Sequence, residues 1–250
     1  MMKQRCGRLA PLIVILLGLS ACESGLPAGH GPTSPRPSAS AVAPADPQRC
    51  ARLAGRGFTP CPPTADRLQL PPTTIRNATN GAVSDATAQQ WGRAFQLAQA
   101  YYYWAMQNNA RGALTSGLLA DASPQAVSNL FGTDLMDLDD AKRAGGTLVY
   151  QPLNMPLTQV VTIPPSLQEK MQAQGLQAKG HGLAVKFTGP ASRTVRLADA
   201  RIVPLRDSAA DYSATGLVWG ELRLDPDLGP IWFESGAYGC DGEVRATCQL

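Results

Sequence analysis

The sequence is poor in the residues and motifs on which most catalytic sites depend. It has two histidines in 250 residues, and it contains no G-x-S-x-G elbow, no H-E-x-x-H motif and no G-x-x-x-x-G-K loop. No cysteine pair has C-x-x-C spacing, which argues against a four-cysteine metal site. These absences count against serine-hydrolase, zinc-protease and nucleotide-binding classes, and we predict no metal and no cofactor.

The sequence also has little uninterrupted apolar length at its N-terminus. The apolar run from Leu9 to Leu19 is 11 residues long, whereas a membrane-spanning helix needs about 20. The basic residues Lys3, Arg5 and Arg8 precede this run. A short apolar run after a basic segment is typical of a signal peptide, so we expect it to be removed rather than to stay in the bilayer.

The apolar run ends in Leu19-Ser20-Ala21-Cys22. Ordinary signal peptidase prefers a small residue where a cut after Ala21 would place Leu19. The segment resembles the lipobox of bacterial lipoproteins at all four positions. The resemblance implies that Cys22 carries a diacylglycerol on its sulfur, that cleavage occurs before it, and that its amino group is often acylated. Two acyl chains anchor a protein stably. A secreted protein with an unmodified Cys22 is the alternative.

Net positive charge is absent once the signal peptide is removed. Three of the 22 basic residues lie in that segment, which leaves 19 basic and 19 acidic residues. A nucleic-acid partner is therefore not expected. The partner that the sequence predicts is a bacterial membrane, reached from the extracytoplasmic side through the lipid on Cys22.

Composition divides the chain into four parts. Residues 1–21 form the signal peptide, and residues 22–48 form a tether rich in Pro, Ser and Ala that we expect to be disordered. His30 lies in this tether and is not a site candidate. Residues 49–63 form an arm bracketed by cysteines. Residues 64–250 have the length of a single domain.

Four cysteines follow Cys22, and an even number in an exported protein predicts two disulfides. They are Cys50, Cys61, Cys240 and Cys248. We favour the local pairs, Cys50 with Cys61 and Cys240 with Cys248, because each pair brackets turn-forming residues. A crossed pairing between the arm and the C-terminus is the alternative.

The pattern of the domain is helices first and strands later. Ser84 caps a predicted helix from about Asp85 to Asn108, and a weaker helical region runs from Arg111 to Lys142. Alternating segments after Gly146 predict strands. We therefore expect an α+β domain with its N-terminal helices on one face of a mainly antiparallel sheet. Nuclear-transport-factor-2-like and cystatin-like cone folds are analogies for this arrangement, at the level of the fold only.

Two clusters along the helices are candidate sites with structural explanations. Tyr101-Tyr102-Tyr103-Trp104 offers a stacking surface, but packing in the core is favoured. Asp134, Asp137, Asp139 and Asp140 lack the Gly and Glu positions of an EF-hand, so an acidic helix end is favoured over a calcium site. His181 lies between glycines, where we expect a turn.

The last hairpin carries the main ligand-site candidates, which are Trp219, Glu221, Arg223, Trp232 and Glu234. If Leu224 pairs with Ile231, Glu221 faces Glu234 and the two form a carboxylate pair between tryptophans. In the other register Arg223 faces Glu234 and forms a cross-strand salt bridge.

These observations predict a lipid-anchored module without catalytic activity that binds an envelope protein or glycan. The alternative is a glycosidase-like hydrolase that acts on an envelope glycan with Glu221 and Glu234 as its carboxylates.

Overall fold

The computed structural model describes residues 46–248, apart from 121, 123, 177–179, 191, 207–210 and 241–243. The predicted signal peptide, the lipobox-like segment with Cys22, and the predicted tether as far as residue 45 lie outside the described residues.

Helices and strands alternate in segments along the described chain. The helices are α1 (Pro47–Gly55), α2 (Asp85–Gln107), α3 (Pro124–Arg143), α4 (Pro165–Ala173) and α5 (Arg245–Cys248). A 3-10 turn covers Ala65–Arg67, and a π-helical segment covers Ala113–Leu118. The strands are β1 (Thr74–Ala78), β2 (Gly146–Val149), β3 (Asn154–Thr162), β4 (His181–Pro190), β5 (Arg193–Leu197), β6 (Ile202–Arg206), β7 (Asp211–Asp225) and β8 (Gly229–Gly239).

The strands form two sheets. The larger sheet has the order β1-β3-β4-β7-β8, and the smaller sheet has the order β2-β5-β6. All pairs are antiparallel except β1 with β3. The predicted α+β class is confirmed. Two features were not predicted: the strands divide between two sheets, and a strand from before the helices adds a parallel edge.

The larger sheet is buried on both faces. Side chains alternate between the two faces of a strand, and successive residues of β3, β4 and β7 pack in two different cores. Val160, Leu183 and Val218 pack in the larger core with α2 and α3, as the predicted N-terminal helical layer requires. Val161, Ala184 and Leu217 pack in the smaller core with α4 and α5. The second helical layer on the opposite face was not predicted.

Helix α2 forms where the sequence predicts it and sets one wall of the site described below. The Ser84 hydroxyl accepts a hydrogen bond from the backbone N–H of Thr87 at 3.2 Å, which caps the helix. The helix lies close to β1 at Gly92, where an added Cβ would be 2.7 Å from the Ile75 side chain. The half-buried Trp91 precedes Gly92 on this helix.

Helix α1 is attached to the turn between β7 and β8. The buried Arg49 guanidinium donates to the backbone oxygens of Asp227 at 2.9 Å, Pro62 at 2.8 Å and Pro63 at 3.0 Å. Two further arginines of the same helix form ion pairs with this turn, Arg52 with Asp227 at 2.6 Å and Arg56 with Asp225 at 2.8 Å. The start of the described chain is therefore held against the tip of the last hairpin.

Both disulfides are local. Cys50 is joined to Cys61 and Cys240 to Cys248, with Cα–Cα distances of 5.2 and 5.8 Å. The favoured pairing is confirmed, and it is typical of a domain that folds in an oxidising compartment outside the cytoplasm. Within the described ranges, no helix has the length and apolar character to cross a bilayer.

Candidate functional site

The β7–β8 hairpin adopts neither of the two predicted registers. Arg223 pairs with Ile231 and Gly220 pairs with Glu234. The turn explains the difference, because the Asp225 carboxylate accepts hydrogen bonds from the backbone N–H groups of Asp227 and Leu228, both at 2.9 Å. Gly229 follows with a φ of 88°, a conformation that favours glycine. The resulting turn shifts the pairing by one residue from the predicted carboxylate pair.

The structure does not bring Glu221 and Glu234 together. Glu221 pairs with Phe233, and consecutive residues of a strand point to opposite faces, so Glu221 and Glu234 lie on different faces of the hairpin. Glu221 forms an ion pair with Arg223, whose guanidinium carbon lies 5.1 Å from the centre of the Phe233 ring. The predicted carboxylate pair and the predicted salt bridge between Arg223 and Glu234 are both wrong.

The two tryptophans of the hairpin are also separated. Trp219 is buried in the smaller core, whereas Trp232 is buried in the larger core. Trp232 lies against Trp91 of α2, with ring centroids 5.8 Å apart. The five predicted ligand residues therefore divide between two faces: Trp232 and Glu234 lie on the inner face, and Trp219, Glu221 and Arg223 lie on the opposite face of the hairpin.

A row of residues across the larger sheet joins Glu234 to His181. Gly220 pairs with Glu234, and continuing the β4–β7 register from the pair Leu183 and Val218 places His181 level with Gly220. His181 and Glu234 are thus two strand spacings apart, about 9.5 Å between their backbones. We call this arrangement the Gly220 site, and its members are Trp91, His181, Gly220, Trp232 and Glu234.

Two aromatic side chains enclose the Gly220 site. The Trp232 indole nitrogen would be 2.9 Å from a Cβ added to Gly220, so the indole N–H reaches the middle of the row. The Trp91 ring centroid lies 6.1 Å from that of His181. Trp91 and His181 are half-buried, whereas Trp232 and Glu234 are buried, so the site faces solvent on the side of Trp91 and His181.

Two ring nitrogens of the Gly220 site have no hydrogen-bond partner among the described residues. His181 Nε2 and Trp232 Nε1 are buried and make no hydrogen bond there. The Glu234 side chain is on a residue with 6% exposure, and burial raises its pKa to about 8, so the carboxyl is mostly protonated at neutral pH. Buried polar groups without partners are costly, and they are concentrated at functional sites.

The Gly220 site contains hydrogen-bond donors, one ionisable carboxyl group and an aromatic surface. The protonated Glu234 carboxyl and the Trp232 N–H can donate hydrogen bonds, and the ionised carboxylate can accept them or bind a cation. The half-buried ring of Trp91 offers contact area for an apolar or cationic group. This is a set of groups suited to holding a small polar ligand.

His181 and Trp91 belong to the Gly220 site although the sequence does not predict them there. His181 was assigned to a turn, but it is the first residue of β4 and pairs with Thr162. It precedes Leu183 and Val185 by two and four residues, and both lie in the larger core, so the strand alternation places His181 on the inner face. Trp91 lies within the predicted helix from Asp85 to Asn108, and no motif marks it as a member of a site.

The aromatic run on α2 packs in the core, as favoured. Tyr101, Tyr102 and Tyr103 are buried, and the Trp104 ring stacks on Phe58 with centroids 6.1 Å apart. The Tyr103 hydroxyl donates to the Leu153 backbone oxygen at 2.9 Å. The phenolic groups are therefore used within the fold.

The acidic cluster of α3 is more buried than predicted. The Tyr102 hydroxyl donates to Asp134, and burial followed by the Asp134 charge raises the pKa of Tyr102. Arg193 forms ion pairs with Asp134 at 3.8 Å and Asp137 at 3.6 Å, and it lies 5.2 Å from the Tyr150 ring centre. Asp139 and Asp140 pair with arginines nearer the surface. No group of three metal-ligating side chains occurs among the residues that the structure describes.

No protein-family model, curated protein or solved structure matches this chain. The suggested analogy to the nuclear-transport-factor-2-like and cystatin-like folds is accordingly not confirmed.

The glycine in the Gly220 site should not tolerate a side chain. A Cβ at Gly220 would be 2.1 Å from the Phe233 backbone oxygen, so Gly220→Ala should lower the free energy of unfolding by about 3 kcal/mol in urea denaturation. Gly216→Ala is the matched control on the same strand, because its nearest contact is 3.8 Å away. It should change stability by less than about 0.5 kcal/mol. Equal effects of the two variants would contradict the close packing at Gly220.

The ionisation of Glu234 should make stability depend on pH. Burial raises its pKa from 4.5 to about 8, so the folded state favours the neutral acid. Its contribution to stability is complete below pH 4.5 and is lost progressively as the pH rises to about 8. Glu234→Gln cannot ionise and should not lose this contribution. The unfolding free energy of the variant should therefore rise relative to that of the wild type by about 1.4 kcal/mol for each pH unit across this window.

Urea denaturation between pH 5 and pH 9 measures this difference. Glu169→Gln is the control, because Glu169 is an exposed glutamate on α4. Its stability curve should run parallel to that of the wild type. A Glu234→Gln curve that also runs parallel would show that Glu234 titrates normally.

Proposed function

We propose that this chain is a lipid-anchored extracytoplasmic binding module of a bacterial envelope, which holds a small polar ligand at the Gly220 site. The observation that carries the binding role is the pair of buried ring nitrogens, His181 Nε2 and Trp232 Nε1, which have no hydrogen-bond partner among the described residues and lie on the same face as the buried Glu234 carboxyl. A ligand with complementary groups would satisfy them.

The sequence and the disulfides support the anchoring. Leu19-Ser20-Ala21-Cys22 resembles a lipobox. The four cysteines after Cys22 pair with one another, which leaves Cys22 as the cysteine of the mature chain outside these disulfides. Its thiol is therefore the one that a lipid would modify.

The placement of the hairpin carboxylates favours binding over glycoside hydrolysis. Retaining and inverting glycosidases use two carboxyl groups that flank one bond, about 5 to 9.5 Å apart. Glu234 lies on the inner face of the hairpin, whereas Glu221 lies on the other face in an ion pair with Arg223. The pair on which the hydrolase alternative depends does not form, so we do not propose that activity.

Lipidation should depend on Cys22 alone. The wild-type protein should fractionate with membranes, and mass spectrometry of its mature N-terminus should show an acylated Cys22. Cys22→Ser should lose the acyl mass and leave the membrane fraction after carbonate washing or retain its signal peptide. Cys6→Ser is the control, because Cys6 lies in the segment that is removed. A mature protein that keeps residues before Cys22, or has no acyl mass, would refute the anchoring.

Ligand binding should depend on Trp91. A thermal-shift panel of neutral sugars, ammonium compounds and carboxylates, applied to the full mature protein, should contain compounds that raise the melting temperature. Trp91→Ala should abolish these shifts, since its ring encloses the Gly220 site. Trp104→Ala is the matched control, because this half-buried tryptophan stacks on Phe58 elsewhere. Shifts that survive in Trp91→Ala would place binding at another surface.

A further inference from the structure

We infer that the Gly220 site takes an organic cation, a ligand whose ammonium group lies against the ring of Trp91 and pairs with the Glu234 carboxylate. This inference rests on the proposed binding role and specifies the class of ligand.

Glu234 has no positive partner in the described part of the chain. His181 is the titratable residue that shares its row. Charged groups on α2, α3 and β7, which pack against β8, have other contacts: Asp85 with Asn77, Arg93 with Gln96, Asp134 and Asp137 with Arg193, Asp139 with Arg111, Asp140 with Arg143, Glu221 with Arg223, and Asp225 with Arg56. Lys142 of α3 is exposed. A carboxylate removed from water is stable only when a cation or several hydrogen bonds compensate for its lost solvation. A cationic ligand would provide that charge.

The aromatic neighbours favour an ammonium group over other cations. Tryptophan is the best partner for a cation over an aromatic face, at distances up to about 6 Å. Trp232 is 3% exposed and packs against Trp91, with ring centroids 5.8 Å apart. The half-buried Trp91 is therefore the tryptophan of the site whose ring is open to a ligand, and the buried surroundings strengthen a cation contact by desolvation.

A metal ion does not fit the same residues. Calcium takes six to eight oxygen ligands, and magnesium requires near-octahedral coordination. The described residues contain no group of three metal-ligating side chains. The site offers one carboxyl and one imidazole, whereas an organic cation gains much of its contact from the ring of Trp91.

The change of binding affinity with pH distinguishes a cationic ligand from a neutral one. An anion would meet the Glu234 carboxyl and no arginine or lysine of the described residues within the site. A neutral ligand that accepts a hydrogen bond from the protonated carboxyl would bind less tightly as that proton is lost. A cation would bind more tightly, because only the ionised carboxylate pairs with it.

Binding of a cation should release a proton from Glu234. The carboxyl is mostly protonated at neutral pH, since burial raises its pKa to about 8. The O–H bond of the carboxyl breaks, the proton passes to the buffer, and the carboxylate keeps the electron pair and faces the ammonium group. Affinity should therefore rise about tenfold from pH 7 to pH 9 and then level off.

Isothermal titration calorimetry of the full mature protein in a non-ionic detergent tests the inference. Choline chloride is the probe, and its uncharged isostere, with a quaternary carbon in place of the nitrogen, is the matched ligand. We expect choline to bind more tightly than the isostere, with about a tenfold gain from pH 7 to pH 9. Titrations in buffers of different ionisation enthalpy should show close to one proton released at pH 7.

Two variants separate the charge from the shape of the site. Glu234→Gln keeps the size of the side chain but cannot ionise, so it should lose the preference for choline and the dependence on pH. Glu169→Gln removes an exposed carboxylate on the other helical layer and should bind choline as the wild type does. Loss of binding in both variants would overturn the role assigned to Glu234.

Failure of the inference can be told apart from failure of the binding role. If the isostere binds as tightly as choline and weakens as the pH rises, the ligand is uncharged and only the cation inference is wrong. If choline does not bind at either pH, the cation inference is also overturned. The comparison of Trp91→Ala with Trp104→Ala then decides independently whether the site binds any ligand.

Discussion

The pairing of β7 with β8 determines the face on which each side chain of the last hairpin lies. A shift of one residue in strand register moves a whole strand's side chains to the opposite face. Here the register changes between the pairs Trp219–Gly236 and Gly220–Glu234, where Ser235 is the extra residue. In a regular strand residues 234 and 237 would point to opposite faces. The bulge instead pairs Glu234 with Gly220 and Ala237 with Val218, two residues of β7 that share one face.

This dependence explains which parts of the structure were predictable. Helix α2 is predicted from a local signal, which is a serine N-cap followed by apolar residues at helical spacing. Such a signal can be recognised without knowing how the rest of the chain packs. The presence of strands after Gly146 is likewise predicted from local alternation, whereas their arrangement in two sheets is not. The parallel pairing of β1 with β3 brings together residues about 80 positions apart, and the register of β7 depends on a bulge and a side-chain cap. Strand pairing and register are determined by tertiary packing. Alternation of apolar and polar residues therefore identifies a strand but not the strand with which it pairs.

The site was predictable only in part for the same reason. Trp232 and Glu234 were recognised as candidates because aromatic and acidic residues alternate on one strand. Their neighbours were assigned wrongly, since Trp91 and His181 come from other elements and join them only through the sheet register. Gly220 gave no signal as a candidate. Its role is visible in three dimensions, where the indole of Trp232 occupies the space that a side chain would fill.

Two sets of buried carboxyl groups differ in their partners: Asp134 and Asp137 lie beside Arg193, whereas Glu234 has no cationic partner among the described residues. This contrast supports a ligand role for Glu234. Between α3 and the smaller sheet, Asp134 and Asp137 face Arg193, and Tyr102 donates to Asp134. The chain therefore compensates buried carboxylates with its own groups where they join structural elements. Glu234 is equally enclosed but lacks such compensation within the described residues, and its pKa is raised as a result. A glutamine of the same size would avoid this cost. A carboxyl that weakens the folded state above its ordinary pKa is better explained by a ligand that pairs with it than by packing.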